Sequence, residues 1–137
     1  MQVHLVDGTY ELYRQHFGQA TRHSDPPPFA GTIGVLTSTI QLLQDGATHI
    51  GVATDHVIES FRNDLYDGYK TSEGMEPVLL EQIPILEDAL RAMGVTVWAM
   101  EKYEADDALA SAAAVACEDR TVHNVLILTP DKDLGQC

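Results

Sequence analysis

The sequence predicts an α/β domain with a parallel β-sheet flanked by helices, and three observations carry that prediction. Four short apolar runs are spread along the 137 residues. Segments with helical apolar spacing or helix-forming composition lie between them. Each run also stops at, or just before, acidic residues. Strands that alternate with helices pair in parallel through right-handed crossovers.

The elements follow in order. Val3 to Val6 reads as a buried strand, ended by Asp7-Gly8-Thr9, and a helix is predicted from Tyr10 to Phe17. Residues 18–30 carry His23-Ser24-Asp25 and Pro26-Pro27-Pro28 and are expected to form a mobile, non-helical loop. From Thr32 to Gln44, Ile33, Leu36, Ile40 and Leu43 recur at helical spacing, with Gly46 as the stop. His49 to Thr54 is the second strand, ending at Asp55, and residues 60–76 read as irregular. Leu79, Ile83, Leu86, Leu90 and Met93 mark one face of a helix that Gly94 ends, with Pro84 predicting a kink or a late start. Val95 to Met100 is the third strand. Glu104 to Glu118 is an alanine-rich helix suited to close packing on a sheet, and Asn124 to Leu128 is the fourth strand, before Asp131-Lys132-Asp133.

Composition sets limits. The length fits one domain over residues 1–137 with a real core. No apolar stretch approaches the roughly 20 residues of a membrane helix, and the amino terminus lacks a basic region, so neither a membrane span nor a signal peptide is expected. Two cysteines, Cys117 and Cys137, without a Cys-x-x-Cys spacing, point to no disulfide framework or thiolate site. Cys117 is expected to be a small buried residue. A reducing, cytoplasmic location follows. The net charge of −13 runs against a nucleic-acid surface, because phosphate contacts come from Lys and Arg.

The positions of the acids answer that objection. Asp7 and Asp55 end strands one and two. Glu104, Asp106 and Asp107 follow strand three, and Asp131 and Asp133 follow strand four. The carboxyl ends of a parallel sheet line one edge, where ligands bind. Seven carboxylates on one rim repel one another unless cations are present. Hard oxygen donors favour Mg²⁺ or Mn²⁺, and two such ions roughly 3.5–4 Å apart serve phosphodiester hydrolysis. Glu104 and Asp107, three apart, share a helix face. The bland reading of each acid alone is that carboxylates favour helix N-termini.

Taken together, Val6-Asp7-Gly8-Thr9, Phe61-Arg62, Tyr69-Lys70, Tyr103-Glu104-Ala105-Asp106-Asp107 and Thr129-Pro130-Asp131-Lys132-Asp133-Leu134 form a pattern. It resembles the N-terminal half of the 5′-nuclease domain attached to bacterial DNA polymerase I, also found as free-standing 5′-3′ exonucleases and flap endonucleases, with a PIN-like or resolvase-like core. The resemblance implies a magnesium-dependent nuclease acting on DNA with a 5′ end or flap, and a polymerase domain in cis or in trans. It implies that Asp7, Asp55, Glu104, Asp106, Asp107, Asp131 and Asp133 hold two Mg²⁺ (or Mn²⁺) ions. It places Lys70 at the scissile phosphate, with Arg62 and Tyr69 on the substrate path.

The pattern has departures. Asp55 stands in Thr54-Asp55-His56 where the family has Phe-Asp-Ala, Glu73 replaces an arginine, and Pro130 replaces a glycine. The family continues with a further Gly-Asp…Asp motif and a helical DNA-binding segment, both absent from these 137 residues, so a truncated, weakly active form with an incomplete second metal site is expected.

Other residues have plainer readings. Without the resemblance, Lys70 is a solvated lysine, Arg62 a helix cap or partner of Asp64, and His56 an exposed histidine beside Asp55. His4, His16, His23, His49 and His123 share no ligand spacing. Trp98 reads as a core strand residue, and Tyr10 and Tyr13 as packing for the first helix. Asp7-Gly8-Thr9 echoes the haloacid dehalogenase phosphatases, but Leu5 occupies the position of their nucleophile, which removes that chemistry. A PIN-type ribonuclease shares the fold without the Glu-Ala-Asp-Asp and Asp-Lys-Asp pair, and a non-catalytic nucleic-acid-processing module is the third reading.

Overall fold

A computed structural model describes residues 1–22, 29–56 and 77–129. Its four strands are β1 (Gln2–Asp7), β2 (His49–Asp55), β3 (Thr96–Met100) and β4 (Asn124–Leu128). Its four helices are α1 (Gly8–Arg22), α2 (Ala30–Gln44), α3 (Pro77–Ala92) and α4 (Ala105–Glu118). The strands form one sheet in the order β3-β2-β1-β4, with every pair parallel. Val3 pairs with His49, Gln2 with Asn124 and Gly51 with Thr96. The predicted α/β class and parallel sheet are therefore found.

The strand order dictates the layers. The chain steps from β1 to β2 to β3 in one direction, then α4 carries it back across the sheet to β4 on the far side of β1. Right-handed crossovers put α1, α2 and α3 on one face and α4 on the other. The packing agrees. On the first face Val6, Ile50 and Val52 bury Leu12 of α1, Val35 of α2, and Ile83, Leu86 and Leu90 of α3. On the second face Leu5 and Ala53 meet Ala105, Leu109 and Ala113 of α4. Each leucine removed from water contributes about 1.5–3 kcal/mol. At the β4 corner of the first face Leu126 and Leu128 stay exposed, beside the buried His4, whose Nδ1 has no hydrogen-bond partner among the described residues.

Two helices end alike. Val95 N–H reaches the Leu90 carbonyl and Ala47 N–H the Leu42 carbonyl, both at 3.0 Å, while Gly94 and Gly46 sit at φ 86° and 111°. That left-handed cap turns each helix into the next strand, and it favours glycine because no Cβ opposes it.

Four expectations are corrected. Helix α1 begins at Gly8 and runs through Arg22, so the predicted loop of 18–30 is helical at its start and again from Ala30. Only proline blocks a helix outright, and Gly18 to Arg22 hold none; residues 23–28 lie outside the described residues. On α2 the packed face is Ala30, Gly31, Thr32, Val35 and Thr39, whereas Ile33, Ile40 and Leu43 are 55%, 45% and 44% exposed. Small residues let α2 approach α1 closely, and the larger aliphatics turn outward; of the predicted stripe only Leu36 packs on the core. Helix α3 starts at Pro77 and continues through Pro84, whose ring is exposed, so it does not start late. Cys117 is exposed rather than buried, on the outer side of α4. Trp98 is partly buried against the second-face cluster. No described helix is long and apolar enough to cross a membrane.

Candidate metal centre at the carboxyl edge of the sheet

Strand order reverses between β1 and β4, and in open α/β sheets the crevice beyond the carboxyl ends at such a reversal is where ligands sit. Asp7 stands there as the last residue of β1, 7% exposed. Its Oδ1 accepts the Tyr10 N–H at 3.1 Å, three residues on, which is an N-cap bond opening α1. Thr129, just past β4, places its hydroxyl 3.5 Å from Asp7 Oδ2, bringing the chain that leaves β4 against β1.

The Asp7-Gly8-Thr9 turn then locks onto β2. A Cβ added at Gly8 would lie 2.6 Å from Val52 Cγ1 and 3.1 Å from the Ala53 carbonyl oxygen, so only glycine lets α1 begin this close to the strand. Thr9 Oγ1 accepts the Asp55 N–H at 2.8 Å. Asp55 ends β2 and is 3% exposed. Its Oδ1 accepts the Ala105 N–H at 2.8 Å, which fastens the end of β2 to the first turn of α4.

Helix α4 opens with the acidic motif itself. Glu104 is its N-cap, 1% exposed, and Asp107 Oδ2 accepts the Glu104 N–H at 2.9 Å within a capping box. Asp106 is half-buried in the same turn. The partial positive charge at a helix N-terminus favours these anions. Hydrogen bonds thus join Thr9 to Asp55, Asp55 to Ala105 and Glu104 to Asp107 along one edge, with Asp7 two residues before Thr9.

The arrangement is not a preset coordination shell. Among the described residues, no group of three or more His, Cys, Asp or Glu side chains is placed so that it could hold an ion. Asp131 and Asp133, from strand four's side, lie outside the described residues, as do Arg62, Tyr69 and Lys70. The fit to a divalent cation is therefore one of donor chemistry: buried carboxylates alone, with no thiolate or imidazole among the predicted ligands, suit a hard ion.

Sequence reasoning passed over several participants. Thr9 and Thr129 stand inside the motifs, but nothing local foretells their bonds. Glu87 of α3 is 1% exposed; its Oε2 accepts the Thr54 hydroxyl at 2.5 Å and its Oε1 lies 2.7 Å from His56 Nδ1. One signal existed, since Glu87 falls four after Ile83 and three before Leu90, on the stripe that packs inward.

The family model for the 5′-3′ exonuclease N-terminal resolvase-like domain matches residues 2–137. DNA polymerase I of Rhizobium leguminosarum is 33% identical over 96% of this chain, and thermostable DNA polymerase I of Thermus aquaticus is 32% identical over 98%. The chain spans only 14% and 16% of those two proteins. Among solved structures, the T5 D15 protein co-crystallized with metal ions superposes with a TM-score of 0.65 at 20% identity, over 98% of this chain and 50% of that one. T5 5′-exonuclease with bound zinc ions superposes at 0.64. These two likenesses concern the fold. By the family match, which covers nearly every residue, the chain belongs to the 5′-3′ exonuclease N-terminal, resolvase-like domain family.

Proposed function

We propose that this chain is the metal-binding half of a nuclease that hydrolyses DNA phosphodiesters at 5′ ends or flaps, in replication or repair, in the cytoplasm. The observation that carries the reading is the placing of two buried strand-end carboxylates, Asp7 and Asp55, on one sheet edge, with Asp55 bonded to the Glu104–Asp107 helix start. Asp7, Asp55, Glu104, Asp106 and Asp107, which form no preset shell, would be drawn together to hold Mg²⁺ or Mn²⁺, with Asp131 and Asp133 supplying a second position. Two bound ions would supply an activated water and charge stabilisation at the leaving oxygen. Backbone N–H groups of Tyr10 and Ala105 aim the carboxylates of Asp7 and Asp55. A carboxylate accepts at about four lone-pair positions, so such aiming is compatible with ligation. Lys70 steers the phosphate, with Arg62 and Tyr69 along the substrate strand.

With only eight Lys and Arg residues, this half has little affinity for DNA by itself. The remaining half of the domain supplies that surface, and a polymerase is the partner in cis or in trans. The test compares this chain with a form extended through the second half, on 5′-flap DNA and on structured RNA with Mg²⁺. Cleavage of the flap by the extended form alone is expected. Asp107→Asn should abolish it, and Lys70→Ala should slow it roughly 10²–10³-fold, the scale of one lost transition-state contact. Preferential cleavage of the RNA would instead favour the PIN-type ribonuclease, and no cleavage of either would favour a binding module.

A further inference from the structure

Thr54 and His56 flank Asp55, and both are tied to one carboxylate on another element. Glu87 of α3 is 1% exposed, accepts the Thr54 hydroxyl at 2.5 Å, and lies 2.7 Å from His56 Nδ1. His56 is also fixed through its backbone, whose N–H reaches the Met100 carbonyl at 2.9 Å.

Side chains alternate along a strand. Val52, Thr54 and His56 therefore face the α3 side, and Ala53 and Asp55 face the α4 side. Clamping both neighbours of Asp55 onto α3 leaves its carboxylate one direction, toward Ala105 N–H at the start of α4. Burial of such a network is not explained by stability. Apolar residues of similar volume in place of a buried charged group are often neutral or stabilising.

We infer that Glu87 is a positioning residue, which acts through Thr54 and His56 to hold Asp55 in its orientation for metal. The metal part of this inference rests on the function proposed above; the orientation part does not. A second-layer partner of this kind typically controls about 10–100-fold in metal affinity.

Two measurements on the full chain separate these parts. Backbone NMR of the Ala105 amide reads the Asp55 bond without any metal. Isothermal titration with Mn²⁺ reads affinity. The variants are Glu87→Gln, which keeps an acceptor, and the double variant Thr54→Val with Glu87→Met, which removes the polar clamp while keeping volume. Asp88→Asn, at an exposed neighbour on the same helix, is the control.

In the double variant the Ala105 amide proton should move upfield and exchange faster, Mn²⁺ binding should weaken about tenfold or more, and the melting temperature should hold or rise. Glu87→Gln should fall between it and the unaltered protein. An Ala105 amide identical in the double variant and the unaltered protein would overturn the inference. So would Mn²⁺ binding unchanged by loss of the clamp. Failure of the unaltered protein to bind Mn²⁺, with the Ala105 shift still present, would remove the metal reading and the metal part of the inference together, leaving the orientation role standing.

Discussion

At the carboxyl edge of the sheet Asp7, Thr54, Asp55, Glu87 and Glu104 are all 7% exposed or less, and each bonds across elements or caps a helix. At the amino edge the Met1 ammonium meets the Thr121 carbonyl at 2.6 Å and His123 Nδ1 at 2.8 Å, and the Thr48 hydroxyl accepts the Gln2 N–H at 2.9 Å, all in exposed positions. Both edges close the same four strands. Exposed pairs at one end suffice to tie loops to the sheet, so the buried carboxylates at the other are not demanded by the fold. A buried charge must be hydrogen-bonded or neutralised at a cost. The difference teaches where the molecule gives up stability for chemistry.

That contrast can be broken or sharpened in three ways, from the largest effect down. Gly8→Ala, at the carboxyl edge, forces a Cβ against Val52 and the Ala53 carbonyl and should cost about 1–3 kcal/mol by overpacking, read as a lower urea midpoint. A neutral result would mean that the α1 start has room to move, and the tight edge would lose its physical basis. Asp55→Asn keeps the acceptor for Ala105 N–H and should change metal-free stability by no more than about 1 kcal/mol. It should nonetheless abolish the rise in melting temperature that Mn²⁺ is expected to give the unaltered protein by mass action. Equal Mn²⁺ stabilisation of both proteins would move the metal site away from β2.

The smallest effect belongs to the amino edge. The Thr121 hydroxyl at 2.7 Å, then its backbone N–H at 2.8 Å, hold the exposed Asp119 carboxyl below its ordinary value. A carboxyl whose folded pKa is depressed stabilises above its unfolded value of about 3.9 and loses that contribution as pH falls through the folded one. Thr121→Val should therefore leave a slightly smaller stability difference between neutral pH and pH 3, measured by urea unfolding. A larger effect than that of Gly8→Ala would reverse the comparison.

Much of this architecture is legible in one sequence, for physical reasons. Four short apolar runs separated by helical segments are the pattern of a parallel sheet covered on both faces, and the strands fall within a residue of expectation. Helix faces were less legible. On α2 the eye follows Ile33, Ile40 and Leu43, yet close packing selects Gly31, Thr32 and Thr39, because approach distance outweighs side-chain size. Glu104 and Asp107 were visible as an acidic motif, and their capping bond is local, but the link from Ala105 to Asp55 joins residues 50 apart in sequence. Glu87 shows the same limit: its partners Thr54 and His56 lie 33 and 31 residues away, and only the crossover through α3 brings them together.

Strand β1 is made first and sits inside the sheet, between β2 and β4. Its second neighbour, 124–128, is separated from it by more than a hundred residues. At about 5–20 residues per second, a nascent chain waits roughly 6–25 s between releasing β1 and releasing β4. Throughout that interval one row of β1 backbone donors and acceptors, flanked by Val3 and Leu5, has no strand beside it. Such an interval is long beside the microseconds in which local hairpins form. Ribosome-bound chains of this protein should consequently hold α1, β2 and α3 in place while β1 remains a binding site for chaperones, and the contact of Thr129 with Asp7 should form only when the fourth strand arrives.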